Sequence, residues 1–303
     1  MTTSAKIIAD SISPDGTRLI TFEVEFHRFV LAEVNTHRVF SRNYQSSRAV
    51  PVEKMLRQVE NNPAMPVSWG KNQAGMQAGE ELTGIQKERA EAAWREGAAL
   101  AAGIASKLIN QGVHKQIANR VLEPYVWTKG VITVTQEASK GYFDLRCHEM
   151  AQPEFRVLAE LMSGLMDSSI PTVLDYGMWH MPYYLDGYWH SDSQSSLSDA
   201  IKIATSCIAQ VSYRRLDDSL EKAHKIYDML NLPTNGEWPE NPPHFSPAEH
   251  CALCLSSEES NAMWEADMEA SDIGGNFQTD SFYQYRKMLE QGVELDYIGV
   301  SST

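Results

Sequence analysis

Arg18-Leu19-Ile20-Thr21-Phe22-Glu23-Val24-Glu25-Phe26 is the stretch on which the fold turns. Ile20, Phe22, Val24 and Phe26 fall on one side, and a period of two is that of a strand half-buried on a sheet. The segment from Arg18 to Val34 therefore begins as a strand, and Asn35 to Val50, rich in Ser, Asn and Arg, predicts a structured loop. Further on, Pro51 to Asn62 predicts a short helix, with Pro51 at the first turn and Met55, Leu56 and Val59 on one side. Asn61 to Gly79 is rich in Gly, Pro, Asn and Gln and reads as an excursion or lid.

Glu80 to Asn110 places Leu82, Ile85, Ala93, Trp94, Ala101, Ile104, Ala105 and Leu108 at helical spacing before Gly112, a long amphipathic helix. Val131 to Thr135 predicts a strand, and Pro153 to Met166 a helix with Phe155, Leu158, Leu161, Met162, Leu165 and Met166 as its apolar face. Ser196 to Tyr213 and Asp217 to Leu230 predict two more helices, the second acid-rich at its start, as the helix dipole favours. The tail, residues 256–303, is an acidic extension, and no internal repeat occurs. Helices mixed with isolated strands, without regular alternation, point to an α+β fold.

The chain has 303 residues, of which 43% are hydrophobic, which excludes a disordered, collagen-like or coiled-coil protein. No apolar run approaches the roughly 20 residues of a membrane span, and Met1 to Lys6 lacks a charged-then-apolar signal pattern. Four cysteines give no disulfide framework, which predicts a reducing, cytoplasmic setting. A formal charge of −14 disfavours duplex nucleic acid or an anionic membrane as partner. An anion must then be met where basic residues gather.

They gather in Thr36-His37-Arg38-Val39-Phe40-Ser41-Arg42-Asn43-Tyr44-Gln45-Ser46-Ser47-Arg48. Between Thr36 and Arg57 lie Arg38, Arg42, Arg48, Lys54 and Arg57 against a single acid, Glu53. Guanidinium forks, Ser hydroxyls and loop N–H groups suit a phosphate. On composition alone the same loop is a solvated basic face.

The spacing resembles the signature of the flavin-dependent thymidylate synthases: Arg-His-Arg, two residues, Ser, one residue, Asn, two residues, Ser, one residue, Arg. His37, Arg38, Ser41, Asn43, Ser46 and Arg48 fall in step, while Thr36 replaces the first Arg and Ala49 the Tyr that follows the last. A second block, His114 to Pro124, is similar to the stretch that carries a nucleotide-binding Arg. Asn119 stands in that column and Arg120 one place later. Leu145-Arg146 and Ala151-Gln152-Pro153-Glu154-Phe155-Arg156 resemble the Leu-Arg and Ala-Gln-x-Glu-Ile-Arg pattern, whose first Arg holds the uracil nucleotide. Read alone, Arg146 is a surface arginine at a helix start. Thr135-Gln136-Glu137 replaces the family's Asn-x-Arg.

The third block is out of order. Family members begin with Ala-Arg-x-Ser-Tyr, a helix, and His-x-Ser-Pro-Phe-Glu-His. Here Ala209-Gln210-Val211-Ser212-Tyr213, a helix to Leu230, and His244-Phe245-Ser246-Pro247-Ala248-Glu249-His250 come late, so the chain resembles a circular permutation of the family. The resemblance assigns flavin contacts to His244 and Ser246 and predicts that their loop lies beside His37 and Arg38, within one subunit or across an interface. Read alone, the same stretch is a helix N-terminus, with Ser246 as N-cap and Glu249 completing a capping box.

Three further patterns have plainer readings. Cys251-Ala252-Leu253-Cys254, with His244 and His250, has the ligand types of a zinc site but no second Cys pair, and no metal is expected. Cys147-His148 are helix neighbours that point about 100° apart, so they form no nucleophilic dyad. Trp179, His180, Tyr183, Tyr184, Tyr188, Trp189 and His190 suit ring stacking, yet equally a core or subunit contact. No Gly-x-Gly-x-x-Gly or Walker loop occurs.

The resemblance implies one domain over residues 1–303, with an antiparallel sheet flanked by long helices, assembled as a homotetramer with shared sites. It implies FAD, with NADPH and methylenetetrahydrofolate as co-substrates, and methylation of dUMP to dTMP. By the same resemblance, His37, Arg38, Ser41, Asn43, His244 and Ser246 hold the flavin. Ser46, Arg48, Arg120 and Arg146 hold the nucleotide, with Arg146 in the catalytic role. Glu33, where the family has Gln, motivates one-carbon transfer to another pyrimidine nucleotide. Thr36, Tyr44 and Glu137 motivate a nucleotide-binding homologue without catalysis.

Overall fold

The alternating stretch forms β2 (Arg18–His27), at the centre of a five-stranded sheet. It pairs antiparallel with β1 (Ser4–Ile12) on one side and β4 (Trp127–Thr135) on the other. The short strand β3 (Ser41–Tyr44) adds to the outer edge of β4, and β5 (Thr172–Val173) runs parallel to β1, so the order is β3-β4-β2-β1-β5. This is a computed structural model that describes residues 2–211, 216–234, 237–256, 258, 259, 273–293 and 295.

Ile20, Phe22, Val24 and Phe26 are buried, as the alternation requires, against Phe155, Leu158 and Met162 of α6 (Pro153–Ser168) and Tyr142 of α5 (Gln136–Arg146). The opposite face is covered too, so Leu19 and Thr21 are also fully buried. Its cover is a smaller antiparallel sheet, β7-β6-β8-β9, made of β6 (Trp179–His180), β7 (Tyr188–Trp189), β8 (Ala252–Cys254) and β9 (Phe282–Gln284). A polar chain threads the layer between the sheets. Ser11 Oγ meets His180 Nδ1 at 2.9 Å, and His180 Nε2 meets Thr21 Oγ1 at 2.7 Å. Thr21 Oγ1 meets Thr133 Oγ1, and Thr133 Oγ1 meets His250 Nδ1, each at 2.7 Å.

The small sheet has a core of its own with α7 (Leu197–Val211), α8 (Leu220–Leu230) and α9 (Tyr285–Gln291), built on Trp179, Leu253, Tyr283, Ile201, Ala204 and Met288. Trp179, Tyr184 and Trp189 of the aromatic run belong to this core. A third cluster joins α2 (Val52–Asn61) to α3 (Gly84–Asn110) through Met55, Val59, Ala98, Ala102 and Ala105.

Several elements differ from the sequence reading. The polar loop contains β3, because β4 offers an unpaired edge. The long helix begins at Gly84 rather than Glu80, since Glu81 Oε2 accepts from Ser68 Oγ at 2.6 Å and from the Trp69 amide at 2.8 Å. Arg146 ends α5 instead of starting a helix. Ser246–His250 is a 3-10 turn with no side-chain cap, and Cys251 leads into a strand rather than a helix. The acidic tail supplies β9 and α9, although much of it, like Ser212 and Tyr213, lies outside the described residues. No helix among the described residues is long and apolar enough to cross a membrane.

Candidate active site

The basic loop is shaped from beneath. Arg28, just past the end of β2, donates to Gln45 O at 2.9 Å and forms an ion pair with Glu123 at 3.3 Å. Glu123 also accepts from Ser47 Oγ at 2.6 Å and pairs with Arg120 at 2.8 Å. Asn119, fully buried, donates to Ser47 O at 2.7 Å and Val50 O at 2.9 Å. Lys115 at the start of α4 (Lys115–Ala118) donates to Ala49 O at 2.9 Å. Asn119, Lys115 and one Arg28 amino group are thus committed to the loop's carbonyls, while Arg28 Nε is buried with no hydrogen-bond partner among the described residues. Arg48 projects into solvent beside half-buried Ser46 and makes no ion pair among the described residues.

On the other side of β3 the candidates are held by one another. Arg146 Nε donates to His37 Nε2 at 2.9 Å, with its guanidinium 4.5 Å from the centre of the Phe155 ring. The His37 ring lies edge-on to Tyr142 at 4.9 Å and to Phe155 at 5.6 Å. Burial, with Arg146 and then Arg42, lowers the His37 pKa to about 4, so the imidazole is neutral near pH 7 and carries its proton on Nδ1. Arg42 turns back to donate to His37 O at 2.9 Å. Arg38 and His244 are exposed.

Residues some two hundred positions apart meet here. Ser246 Oγ donates to Asn43 Oδ1 at 3.1 Å, and Asn43 Nδ2 donates to Ile208 O at 2.8 Å, so the late block lies against the basic loop within one chain. Ser246 therefore spends its hydroxyl on Asn43, and Glu249 reaches Arg286 instead of closing a capping box. Ser41 is fully buried, its hydroxyl accepting from Gln284 Nε2 at 2.9 Å, and the same amide donates to Glu249 O at 3.0 Å.

His37 and Arg146 are thus in contact, as are Asn43 and Ser246. Arg120 pairs with Glu123 beneath the loop that carries Ser46 and Arg48. Sequence reasoning missed Gln284, Glu123 and the Tyr142–Phe155 wall. Only Phe155 had a signal, as an apolar-face residue beside the Leu-Arg motif. Cys251 and Cys254 are buried among apolar side chains, and burial pushes the Cys254 thiol up to about 12. No group of three or more His, Cys, Asp or Glu among the described residues is placed to hold a metal.

A cavity of about 860 Å³ opens beside Arg146. Its walls are Asp144 to Arg146, His148 to Glu154 at the start of α6, and Ser68, Gly70 and Met76 to Gly79 of the excursion. A space of this size accepts a nucleotide-sized ligand.

The model of the thymidylate synthase complementing protein family matches residues 14–172, just over half of the chain. The chain belongs to that family, the flavin-dependent thymidylate synthases. Similar solved structures include a UMP/dUMP methylase, PolB, from Streptomyces cacaoi bound with 5-Br UMP. That pair shares 16% identity at a TM-score of 0.45, covering 54% of this chain and 88% of that one. A second structure of PolB, bound with 5-Br dUMP, gives 20% identity and a TM-score of 0.39, covering 49% of this chain and 65% of that one. No curated protein matches the chain. Within the flavin-dependent thymidylate synthase family, the matched span carries β2, the basic loop and Arg146, whereas the Ser246 block lies beyond it.

Proposed function

We propose that this chain is a flavin-dependent thymidylate synthase that methylates dUMP to dTMP with methylenetetrahydrofolate and NADPH, from a circularly permuted sequence. The observation that carries the reading is the Ser246–Asn43 contact at 3.1 Å, which unites two family motifs two hundred residues apart inside the chain. Old termini that lie close together on a surface make such a rearrangement tolerable. The four cysteines and the absence of a membrane-spanning helix among the described residues agree with work in the cytoplasm.

The residues fit an anionic flavin cofactor. Arg38 and His244 are exposed, and each lies in a segment next to the Asn43–Ser246 bond in the chain, five residues before Asn43 and two before Ser246, so cations and polar groups are supplied by the same two segments. FAD would be held there by His37, Arg38, Asn43, His244 and Ser246, with Ser41 and Gln284 fixing the loop from below. When bound, it supplies the reducing equivalents of the reaction. The chain's own part is positioning. Arg48 and Ser46 take the nucleotide phosphate, Arg120 standing behind them through Glu123. Arg146, held on its aromatic wall by His37, takes the pyrimidine base. Fixing the rings in register is itself a large share of catalysis. The family resemblance adds a homotetramer with shared sites to the reading.

A second pyrimidine substrate is favoured by Glu33, whose Oε2 is buried with no hydrogen-bond partner among the described residues. Such an acceptor suits a ligand with an amino group, such as dCMP. The tests are direct. Purified protein should absorb near about 450 nm and bleach on adding NADPH, then turn over dUMP faster than dCMP. A colourless protein that binds dUMP without turnover overturns the enzyme reading, and a preference for dCMP selects the second.

A further inference from the structure

The excursion after α2 has two parts of opposite character. Its first part is strapped down. The Ala64 amide donates to Tyr125 O at 2.8 Å, and Trp94 Nε1 donates to Ala64 O at 3.0 Å. His27 Nε2 donates to Met65 O at 2.7 Å, and the Val67 amide donates to Glu154 Oε1 at 2.9 Å. The second part folds back on itself as a narrow hairpin. The Leu82 amide donates to Trp69 O at 2.7 Å, the Lys71 amide to Glu80 O at 2.8 Å, and the Gly79 amide to Lys71 O at 2.8 Å. The two limbs are so close that a Cβ on Gly70 would lie 2.4 Å from the Ala78 Cβ. At the tip, Met76 is fully exposed, and Gln77 Nε2 donates across to Met150 O at 2.9 Å.

Between this tip and Arg146 lies the cavity of about 860 Å³. Arg146 is its one guanidinium, and Asp144, Glu149 and Glu154 are in its wall. A phosphate would meet that acidic lining unfavourably, whereas a neutral ring with hydrogen-bonding edges would not. Met76, an apolar side chain left in water on the cavity's rim, is what the face of such a ring covers, since thioethers pack well on aromatic rings.

We propose that the hairpin 69–82 is this chain's own cover for a base-binding pocket at Arg146, with Met76 packing on the face of the pyrimidine and Gln77 latching the tip over it. The inference rests on Arg146 being the residue that reads the base. The phosphate then points out of the cavity, away from its acidic lining.

Hydrogen exchange and titration of the full chain test it with dUMP and with deoxyribose 5-phosphate, which lacks the ring. dUMP should slow exchange of amides 70–80, and deoxyribose 5-phosphate should not. Met76→Ala should raise the dUMP dissociation constant about three- to tenfold, Met76→Leu should restore most of it, and Gln77→Ala should speed exchange of the tip in free protein. If dUMP binds in an Arg146-dependent way while exchange at 70–80 and the Met76→Ala affinity are unchanged, the cover is overturned and the reading of Arg146 stands. If wild-type protein does not bind dUMP, or Arg146→Ala binds it equally well, that reading falls and the cover falls with it.

Discussion

Arg48 and Arg42 share one basic loop but differ in commitment: Arg42 is bonded back to His37 O, and Arg48 is free in solvent. A hydrogen bond to a charged group is worth about 1.5–3 kcal/mol, so Arg48→Ala should raise the dUMP dissociation constant roughly ten- to a hundredfold. Arg48→Lys should recover part of it, because an ammonium keeps the charge and loses the planar fork. Arg42→Ala should lower the melting temperature and weaken binding less, and equal losses of affinity in calorimetric titration would reduce the loop to a diffuse positive patch. His37 offers a sharper probe. Burial is the first cause of its low pKa and Arg146 the second, so Arg146→Ala should raise the value part of the way from about 4 toward its ordinary value, read from imidazole chemical shifts against pH. The motif residues were legible because spacing survives divergence. Their commitments were not, since nothing in the sequence says that Ser41 faces a glutamine 243 positions away.

Periodicity located α2 and α6 by their buried faces and β2 by its alternation, whereas α3 buries Ala98, Ala101, Ala102 and Ala105 and leaves Ile85 and Ile104, expected on its apolar face, exposed. It did not find β3, whose four residues show no apolar alternation and are held at the edge of β4 by backbone pairing and by side-chain bonds to distant segments. The partner strand is adapted to it. A Cβ on Gly130 would fall 2.1 Å from Tyr44 Cδ1, so the Tyr44 ring occupies the space that a side chain there would need. Gly130→Ala should cost about 1–3 kcal/mol, as overpacking does, with faster amide exchange at 41–44 as its local sign. Gln284→Ala removes the amide that joins Ser41 to Glu249 O, and should loosen the same strand from the other side. Neither change touches a residue proposed to contact nucleotide, so lost affinity in either variant measures how far β3 positions the loop.

At the scale of the molecule, the α+β class followed from the mixed pattern of helices and strands, whereas the second sheet did not. Its strands, of two and three residues, are too short to show a period, and they are ordered by packing on the back of β2. That packing makes the protein sensitive to acid. Burial lowers the pKa of both His180 and His250 to about 3. The unfolded chain takes up these protons near pH 6.5 and the folded one does not. Their contribution to stability is therefore complete above about pH 6.5 and is lost as pH falls toward 3. Urea unfolding from pH 7 to 4 should show the slope, and His250→Asn should reduce it.

The same neutrality has a consequence for where the protons sit. Thr21 and Thr133 find acceptors only within the row Ser11–His180–Thr21–Thr133–His250 among the described residues, so with each giving its one hydrogen there, the direction of any link fixes the direction of all. One polarity leaves an N–H at His250 Nε2 with no acceptor, and the other leaves only a lone pair there, since that atom is buried without a partner. An orphaned N–H is the rarer fault in proteins. The row is therefore ordered from His250 toward Ser11, and both imidazoles are the Nδ1–H tautomer, a matched pair that nitrogen-15 spectra would display as two near-identical patterns.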